Sequence, residues 1–394
     1  MAAGRNSFGE EWLPNRVAIA PGRIELLGNH LDYNGGPVLA GAVDRWVVTL
    51  SAPFGADGTI SATFANEGAA GATLVPTDLL DWQNPVLPPE SLDYVRGVIA
   101  ANAVANPLSQ RLSGPLSMAI AGDVPIGLGL SSSAALCVSL TLALADERPD
   151  PSALCLLAQE AEHRAGTPCG TMDQSTSIAG GAILFDGSTL TVKRLAPVLT
   201  DVVFVVVDSG VRRSLATSSY PFRVKEAQAA LARVNAHLSL DLRNLASMTA
   251  ENLEDALRMS NLLMPEPLKR RLRHIVSETE RVIEGTEALK SSDWSRFGLL
   301  MSASGRSSAL DYEISHPKVE ELIEEMRAID GVLGARMMGG GEGGAVLALV
   351  QRQHVTTLRQ LLRSGYFLRY AMDDRADLVH ECVFSNGASM EVVS

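Results

Sequence analysis

The stretch Gly122-Asp123-Val124-Pro125-Ile126-Gly127-Leu128-Gly129-Leu130-Ser131-Ser132-Ser133-Ala134-Ala135-Leu136 leaves this chain fewer conformational choices than any other. Pro125 stiffens the way into a glycine-rich turn, and the turn runs into an apolar, alanine-rich segment. Leu116 to Ala121 reads as the strand that feeds it, and Ser131 to Ala145 as the helix that leaves it. Glycines let a backbone approach a ligand closely, and a helix opened by Ser-Ser-Ser presents unpaired N–H groups and a dipole that favour a phosphate. A serine-capped core helix after a loop explains the same residues equally well.

Other segments bear on that choice. Gly339-Gly340-Gly341-Glu342-Gly343-Gly344 holds five glycines in six residues ahead of an expected strand, Ala345 to Val350. Such a run is a loop that must come very near a ligand or another backbone. With the turn at Gly127 to Ser133 it supplies two phosphate-proximal loops. No lysine follows either in the GxxxxGK[ST] arrangement, which excludes the ordinary P-loop. Nor does a GxGxxG sit between strand and helix with an acid about twenty residues on, so a dinucleotide site is a poor fit. Arg16 to Gly28 reads as strand, turn and strand, the turn at Pro21-Gly22. Behind it, Asn29-His30-Leu31-Asp32-Tyr33-Asn34-Gly35-Gly36 packs donors, acceptors and a ring together, which suits a polyhydroxylated ligand. A polar hairpin is the alternative, since Asn34-Gly35 is a turn signal. In Cys169-Gly170-Thr171-Met172-Asp173-Gln174-Ser175, Asp173 follows a glycine and precedes an expected strand, Ile178 to Phe185. It could act as a general base or orient a hydroxyl, though its residues alone favour an N-cap.

Length and charge set the outer bounds. A chain of 394 residues exceeds one ordinary core, and the apolar run Val202 to Val207 is expected to open a second domain, dividing the chain into 1–197 and 198–394. The net charge of −12 argues against nucleic acid as a partner. Lys269-Arg270-Arg271 with Arg273, the best basic run, reads as a solvated helix face. The first residues lack the apolar core of a secretory signal or anchor, and Ala134 to Ala145, the longest apolar run, is too short to cross a bilayer. Cys137, Cys155, Cys169 and Cys382 show no paired spacing, as expected of reduced thiols in a cytoplasm. A monomer is compatible with all of this.

The identity and order of these motifs resemble the galactokinase branch of the superfamily that also holds homoserine, mevalonate and phosphomevalonate kinases. Ala20-Pro21-Gly22-Arg23 through Gly36 is similar to its sugar signature, Gly127 to Ala135 to its phosphate motif, and Gly334 to Gly344 to its last glycine loop. Cys169 to Gln174 and Ser209 to Arg223 extend the likeness over nearly the whole chain. The resemblance implies a two-domain α+β fold with the active site in the cleft between domains, ATP with Mg²⁺ as cosubstrate, and a sugar phosphorylated at its anomeric hydroxyl. It implies Asp173 as the base or orienter and Arg23 as its stabilising partner. Ser133 and Glu162 match the magnesium partners, and His30, Asp32, Gly170 and Tyr220 the positions that hold the sugar. Gly127, Gly129, Leu130, Ser131, Ser132, Ser133 and Ala134 match the triphosphate cradle, with Gly339, Gly340 and Gly341 in the last loop.

Several positions depart from the family pattern. Asn29 stands where the family has a glutamate at the sugar's C6 hydroxyl. The loop from Glu162 to Cys169 is one residue shorter, Ser91 replaces a tryptophan near adenine, Cys137 a glutamate and Glu342 an aromatic. Losing the glutamate removes a repulsion against a C6 carboxylate, and Asn29 can donate to one. Ser302 to Ser308 is also more similar to the galacturonate kinases than to galactokinases proper. Galacturonate is therefore the first candidate substrate, with galactose close behind. The reading from another class is a non-catalytic sugar sensor on the same fold, which the intact Ser131 to Ala135 run and Asp173 oppose.

Overall fold

A computed structural model describes residues 1–65, 71–84, 86–212 and 219–393; part of the Ser209 to Arg223 segment lies outside them. The chain folds into two sheets with helices packed on each. The first contains β1 (Arg16–Leu27), β2 (Pro37–Ala52), β3 (Ile60–Phe64), β4 (Ala72–Leu74), β5 (Leu116–Gly122), β6 (Ala182–Asp186) and β7 (Thr191–Leu195). The second contains β8 (Val202–Asp208), β9 (Val332–Met338), β10 (Ala345–Gln351) and β11 (Val379–Cys382), in the order β11-β8-β10-β9. The last strand, β12 (Ser389–Val392), returns to the first sheet and pairs antiparallel with β1, giving the order β12-β1-β2-β5-β3-β4 with β6 and β7 branching from β2. A single cut at 197/198 therefore does not separate the two sheets, because the tail is stitched into the first.

The patterning explains most of this. Every residue of β8 is buried, which is why it reads as one uninterrupted apolar run. The helix Ser132–Leu144 is buried from Ala134 to Leu144 and mostly apolar, with Ser139 bonded to Thr49, because it is wrapped by the sheet and the neighbouring helices.

Three local expectations are corrected. β1 is one continuous strand, not strand, turn and strand. Pro21 and Gly22 are absorbed as a bulge where its register against β2 shifts. That bulge presses β1 onto the glycine turn, with the Arg23 N–H bonding the Leu130 carbonyl at 3.0 Å. Ile178 and Ala179 end the helix Met172–Ala179, and Gly180 and Gly181, both with positive φ, stop it before β6 begins at Ala182. Asp173 is thus inside that helix, while Thr171 takes the N-cap position. The basic run is only half a solvated face, since Arg270 and Arg273 are partly exposed but Lys269 and Arg271 are buried. Arg271 is 1% exposed and bonds Glu226 and Glu313 at 2.7 Å each, and Lys269 donates to the carbonyls of Leu257 and Met259. Partners from other segments satisfy both cations, which lets them be buried. Among the described residues, no helix is long and apolar enough to cross a membrane.

Candidate active site

A cleft of ≈ 670 Å³ runs across the two layers. Arg23, Asn29, His30, Asp32, Glu162, Gly170, Asp173 and Tyr220 all line it, as do Gly127, Gly129, Leu130, Ser131, Ser132, Ser133, Gly339 and Gly340. Two candidates do not. Ala134 is buried in the first turn of its helix, and Gly341 turns away to pack on Ile314. The glycine turn and the last glycine loop also meet each other, since a Cβ on Gly344 would stand 3.2 Å from the Gly127 carbonyl. Part of their glycine content therefore serves backbone-to-backbone approach rather than a ligand.

At the mouth of the turn, Ser131 sits in the left-handed region (φ 56°) and heads the helix Ser132–Leu144 without capping it. Its hydroxyl instead donates to Asp173 Oδ2. Asp173 Oδ1 accepts from Arg23 Nε at 2.8 Å and Nη2 at 2.6 Å, and Arg23 Nη1 donates to the Gly129 carbonyl. One arginine thus ties a carboxylate to the turn. Because the Ser131 side chain is committed elsewhere, the first-turn N–H groups of the helix face the cleft uncapped, an arrangement that suits an anion. Beside them lies Glu162, fully buried. Burial pushes its carboxyl up to about 7, Ser133 and Gln174 bond it and pull the other way, and the Asp173 charge adds to the rise.

Further along, Asp32 is also pushed up to about 7, first by burial and then by the charges of Asp173 and Glu25, against its bond from the Tyr33 N–H. A Cβ on Gly170 would overlap the Asp32 carboxylate, so a larger residue there would displace that side chain. His30 Nδ1 bonds Tyr33 Oη at 2.8 Å, and its ring packs against Tyr220 and Tyr312 with centroids 5.2 and 5.0 Å apart.

Asn29 is 1% exposed and fully engaged. Its Nδ2 donates to Glu25 Oε1 and to the Gly339 carbonyl, both at 2.9 Å, and its Oδ1 accepts from Ser308 Oγ at 3.0 Å. The backbone here is held from the second layer. Glu278, in the helix Glu266–Ser291, accepts from the N–H groups of Gly28 and Asn29, and His274 of the same helix bonds the Asn29 carbonyl at 2.9 Å. Ser304 and Ser307 complete this support by bonding Glu278 and His274. Burial would raise the Glu278 carboxyl, but Arg281, His274 and Arg336 outweigh it and leave it at about 2. The helix expected over Trp294 to Met301 runs on to Leu310, so the Ser302 to Ser308 segment is its last turns, reaching the sugar loop from behind.

Sequence reasoning passed over Glu25, His274, Glu278, Tyr312 and Arg336. Glu25 had a usable signal, since it lies two residues from Arg23 on one strand and so shares its face. His274 and Glu278 are four apart on one helix face, but nothing in the chain points that face at residue 29. Val47, Phe64, Pro88, Tyr94 and Leu136 form an apolar wall beside Ser91, suited to a planar base. Cys137 is buried away from the cleft, and Glu342 accepts from the Ser219 N–H.

Comparison with known proteins agrees with this geometry. A galactokinase galactose-binding signature matches residues 5–53, the GHMP kinases N terminal domain residues 93–181, and the GHMP kinases C terminal domain residues 286–366. The chain is 35% identical over 390 residues to the galactokinase of Roseiflexus sp. (strain RS-1), covering 95% of this chain and 92% of that one. It is 36% identical over 362 residues to the galactokinase of Homo sapiens, covering 89% and 88%. The crystal structure of Lactococcus lactis galactokinase complexed with galactose superposes with a TM-score of 0.86 at 26% identity, covering 98% of this chain and 97% of that one. Likeness over the full length of both layers, with the motifs gathered in the cleft between them, makes this sugar kinase a member of the galactokinase family within the GHMP kinases.

Proposed function

We propose that this chain transfers the γ-phosphoryl group of ATP to the anomeric hydroxyl of galactose. The observation that carries the reading is the Asp173 carboxylate, gripped by Arg23 on one oxygen and Ser131 on the other, at the mouth of an uncapped helix N-terminus. Phosphoryl transfer passes through a loose transition state, so positioning and electrostatics supply most of the acceleration. Asp173 orients the sugar hydroxyl and receives its proton, and Arg23 fixes that carboxylate and faces the charge that develops. His30, Asp32, Gly170 and Tyr220 hold the ring, and the turn from Gly127 to Ser133 cradles the triphosphate.

Ser133 and Glu162 would hold magnesium. A buried carboxyl raised to about 7 beside a hydroxyl is a fitting hard donor pair, since a divalent charge favours its ionised form. Among the described residues there is no cluster of three or more acidic, histidine or cysteine ligands, so water and phosphate oxygens would fill the rest of the shell. When bound, the ion neutralises charge on the β- and γ-phosphoryl oxygens.

Galactose is favoured over galacturonate because every polar group of the Asn29 side chain is already bonded within the protein, leaving no donor for a C6 carboxylate. The relatives' names and the galactose in the Lactococcus lactis complex add weight. The test is incubation with ATP, magnesium and either galactose or galacturonate, with the phosphorylated position read by ³¹P NMR. Galactose 1-phosphate should form the faster of the two. Faster galacturonate turnover overturns the choice of sugar, and sugar binding without sugar-dependent ADP release would mark a sensor instead.

A further inference from the structure

We infer that Glu25, and not Asn29, selects the substituent at the C6 end of the sugar, accepting a hydrogen bond from a neutral hydroxymethyl group and turning away a carboxylate. The inference rests on the galactose 1-kinase reading and deepens it.

The strand β1 sets the geometry. Arg23 and Glu25 both line the cleft from β1, and residues two apart on a strand share a face and stand about 7 Å apart. Arg23 grips Asp173 at the reacting end. Glu25 therefore sits one pleat further along the cleft, a step that a single pyranose ring can bridge. It lies close enough to Asp32 for its charge to raise that group as well.

The two carboxylate oxygens of Glu25 are used differently. Oε1 accepts from Asn29 Nδ2 at 2.9 Å and from Arg336 Nη2 at 2.8 Å. Oε2 accepts no hydrogen bond among the described residues, yet it is not one of the sealed, unpartnered polar atoms. It opens on the cleft that Glu25 lines. Arg336 cannot serve a sugar carboxylate in its place. It is 0% exposed, and its other terminal nitrogen donates to the Leu26 carbonyl at 3.0 Å. Asn29 orients Glu25 and has no polar group left over.

The chemistry follows from one open oxygen bearing negative charge. A hydroxymethyl group donates to it. A uronate has no proton to donate at neutral pH and adds charge to a pocket already holding Glu25 and Asp173. A 6-deoxy sugar leaves Oε2 desolvated and unpaired.

The experiment compares kcat/KM for galactose, galacturonate and 6-deoxygalactose in wild type, Glu25→Gln and Asn29→Ala. Ratios within one preparation do not depend on the fraction folded, which matters because Glu25→Gln leaves Arg336 without its carboxylate. Wild type should prefer galactose to either analogue by at least about tenfold, the loss expected of one hydrogen bond to a charged group. Glu25→Gln should narrow the galactose-to-galacturonate ratio by at least about tenfold through loss of the repulsion, whereas Asn29→Ala should keep wild type's order of preference. An unchanged ratio in Glu25→Gln overturns the inference while leaving the kinase reading intact, and so does a reversal toward galacturonate in Asn29→Ala alone. If Glu25→Gln yields no folded protein, the wild-type preference over 6-deoxygalactose decides, and its absence overturns the inference. Failure of wild type to phosphorylate any of the three sugars overturns the kinase reading and the inference together.

Discussion

The two ends of the cleft are built in opposite ways. At the reacting end Arg23 and Ser131 both bond Asp173 directly, all three from segments of the first layer. At the far end the loop's own turn bonds are joined by supports from distant segments. Gly28 and Asn29 hang from Glu278, His274 and Ser308, which are 245 to 279 residues further along the chain, and Glu25 pairs with Arg336 across 311 residues. Chemistry is therefore self-contained, while recognition depends on how the layers pack. Changes at one end should appear in kcat, and changes at the other in KM, selectivity and stability.

The sharpest way to break that division is Asp173→Ala. It should lower kcat about a thousandfold, the scale of a lost general base, while calorimetric ATP binding stays near wild type. A kcat within tenfold of wild type would mean that the reacting end does not turn on this carboxylate. Next comes Glu278→Ala, which strips the acceptor from two loop N–H groups and leaves Arg281 without its carboxylate. Removing one side of so buried an arrangement should cost about 3–5 kcal/mol in urea unfolding, and galactose KM should rise more than kcat falls. A pure kcat defect would erase the distinction between the ends.

The same contrast explains what was legible in the sequence. The reacting end could be read because its motifs are contiguous: Gly127 to Ser133 fits an anion site or a capped helix on its own, and Asp173 a base or a cap, but the order of the whole motif set resolves both. Even there local structure misled. Pro21-Gly22 reads as a turn because a bulge needs the same residues, and Ile178 to Phe185 reads as a strand because apolar character does not reveal where a short helix stops. The far end was closed to such reading. Periodicity places His274 and Glu278 on one helix face without naming what that face meets, and Arg271 looks solvated until Glu226 and Glu313 are brought to it. Asn29 reads as a free donor because two of its side chain's three bonding partners, Gly339 and Ser308, come from distant segments.

Asp32 feels the charges of both ends, Asp173 and Glu25, and it makes the comparison pH-dependent. Its folded-state value of about 7 stands above the ordinary carboxyl value, so between about pH 4 and 7 the native protein keeps a proton that the unfolded chain has released. Unliganded stability should therefore fall as pH rises through that window, by at most about 4 kcal/mol from this group. Glu162, also raised to about 7, adds a slope of the same sign. Asp32→Asn should reduce the stability difference between pH 5 and 7.5 by about half without abolishing it. An identical difference in wild type and variant would show that Asp32 does not carry the proton.

The smallest change asks whether loop support and selection are separable within the far end. Ser308→Ala removes only the donor to Asn29 Oδ1, an effect of about 1 kcal/mol, or about fivefold in galactose KM, with kcat nearly unmoved. If Asn29 were the selector, freeing its amide to rotate would offer its N–H groups to the sugar and raise galacturonate use. With Glu25 still in place and its second oxygen still open, the galactose-to-galacturonate ratio should instead stay as it is in wild type. A raised KM with an unmoved ratio assigns Ser308 and Asn29 to holding the loop; a ratio that moves with KM would return selection to Asn29.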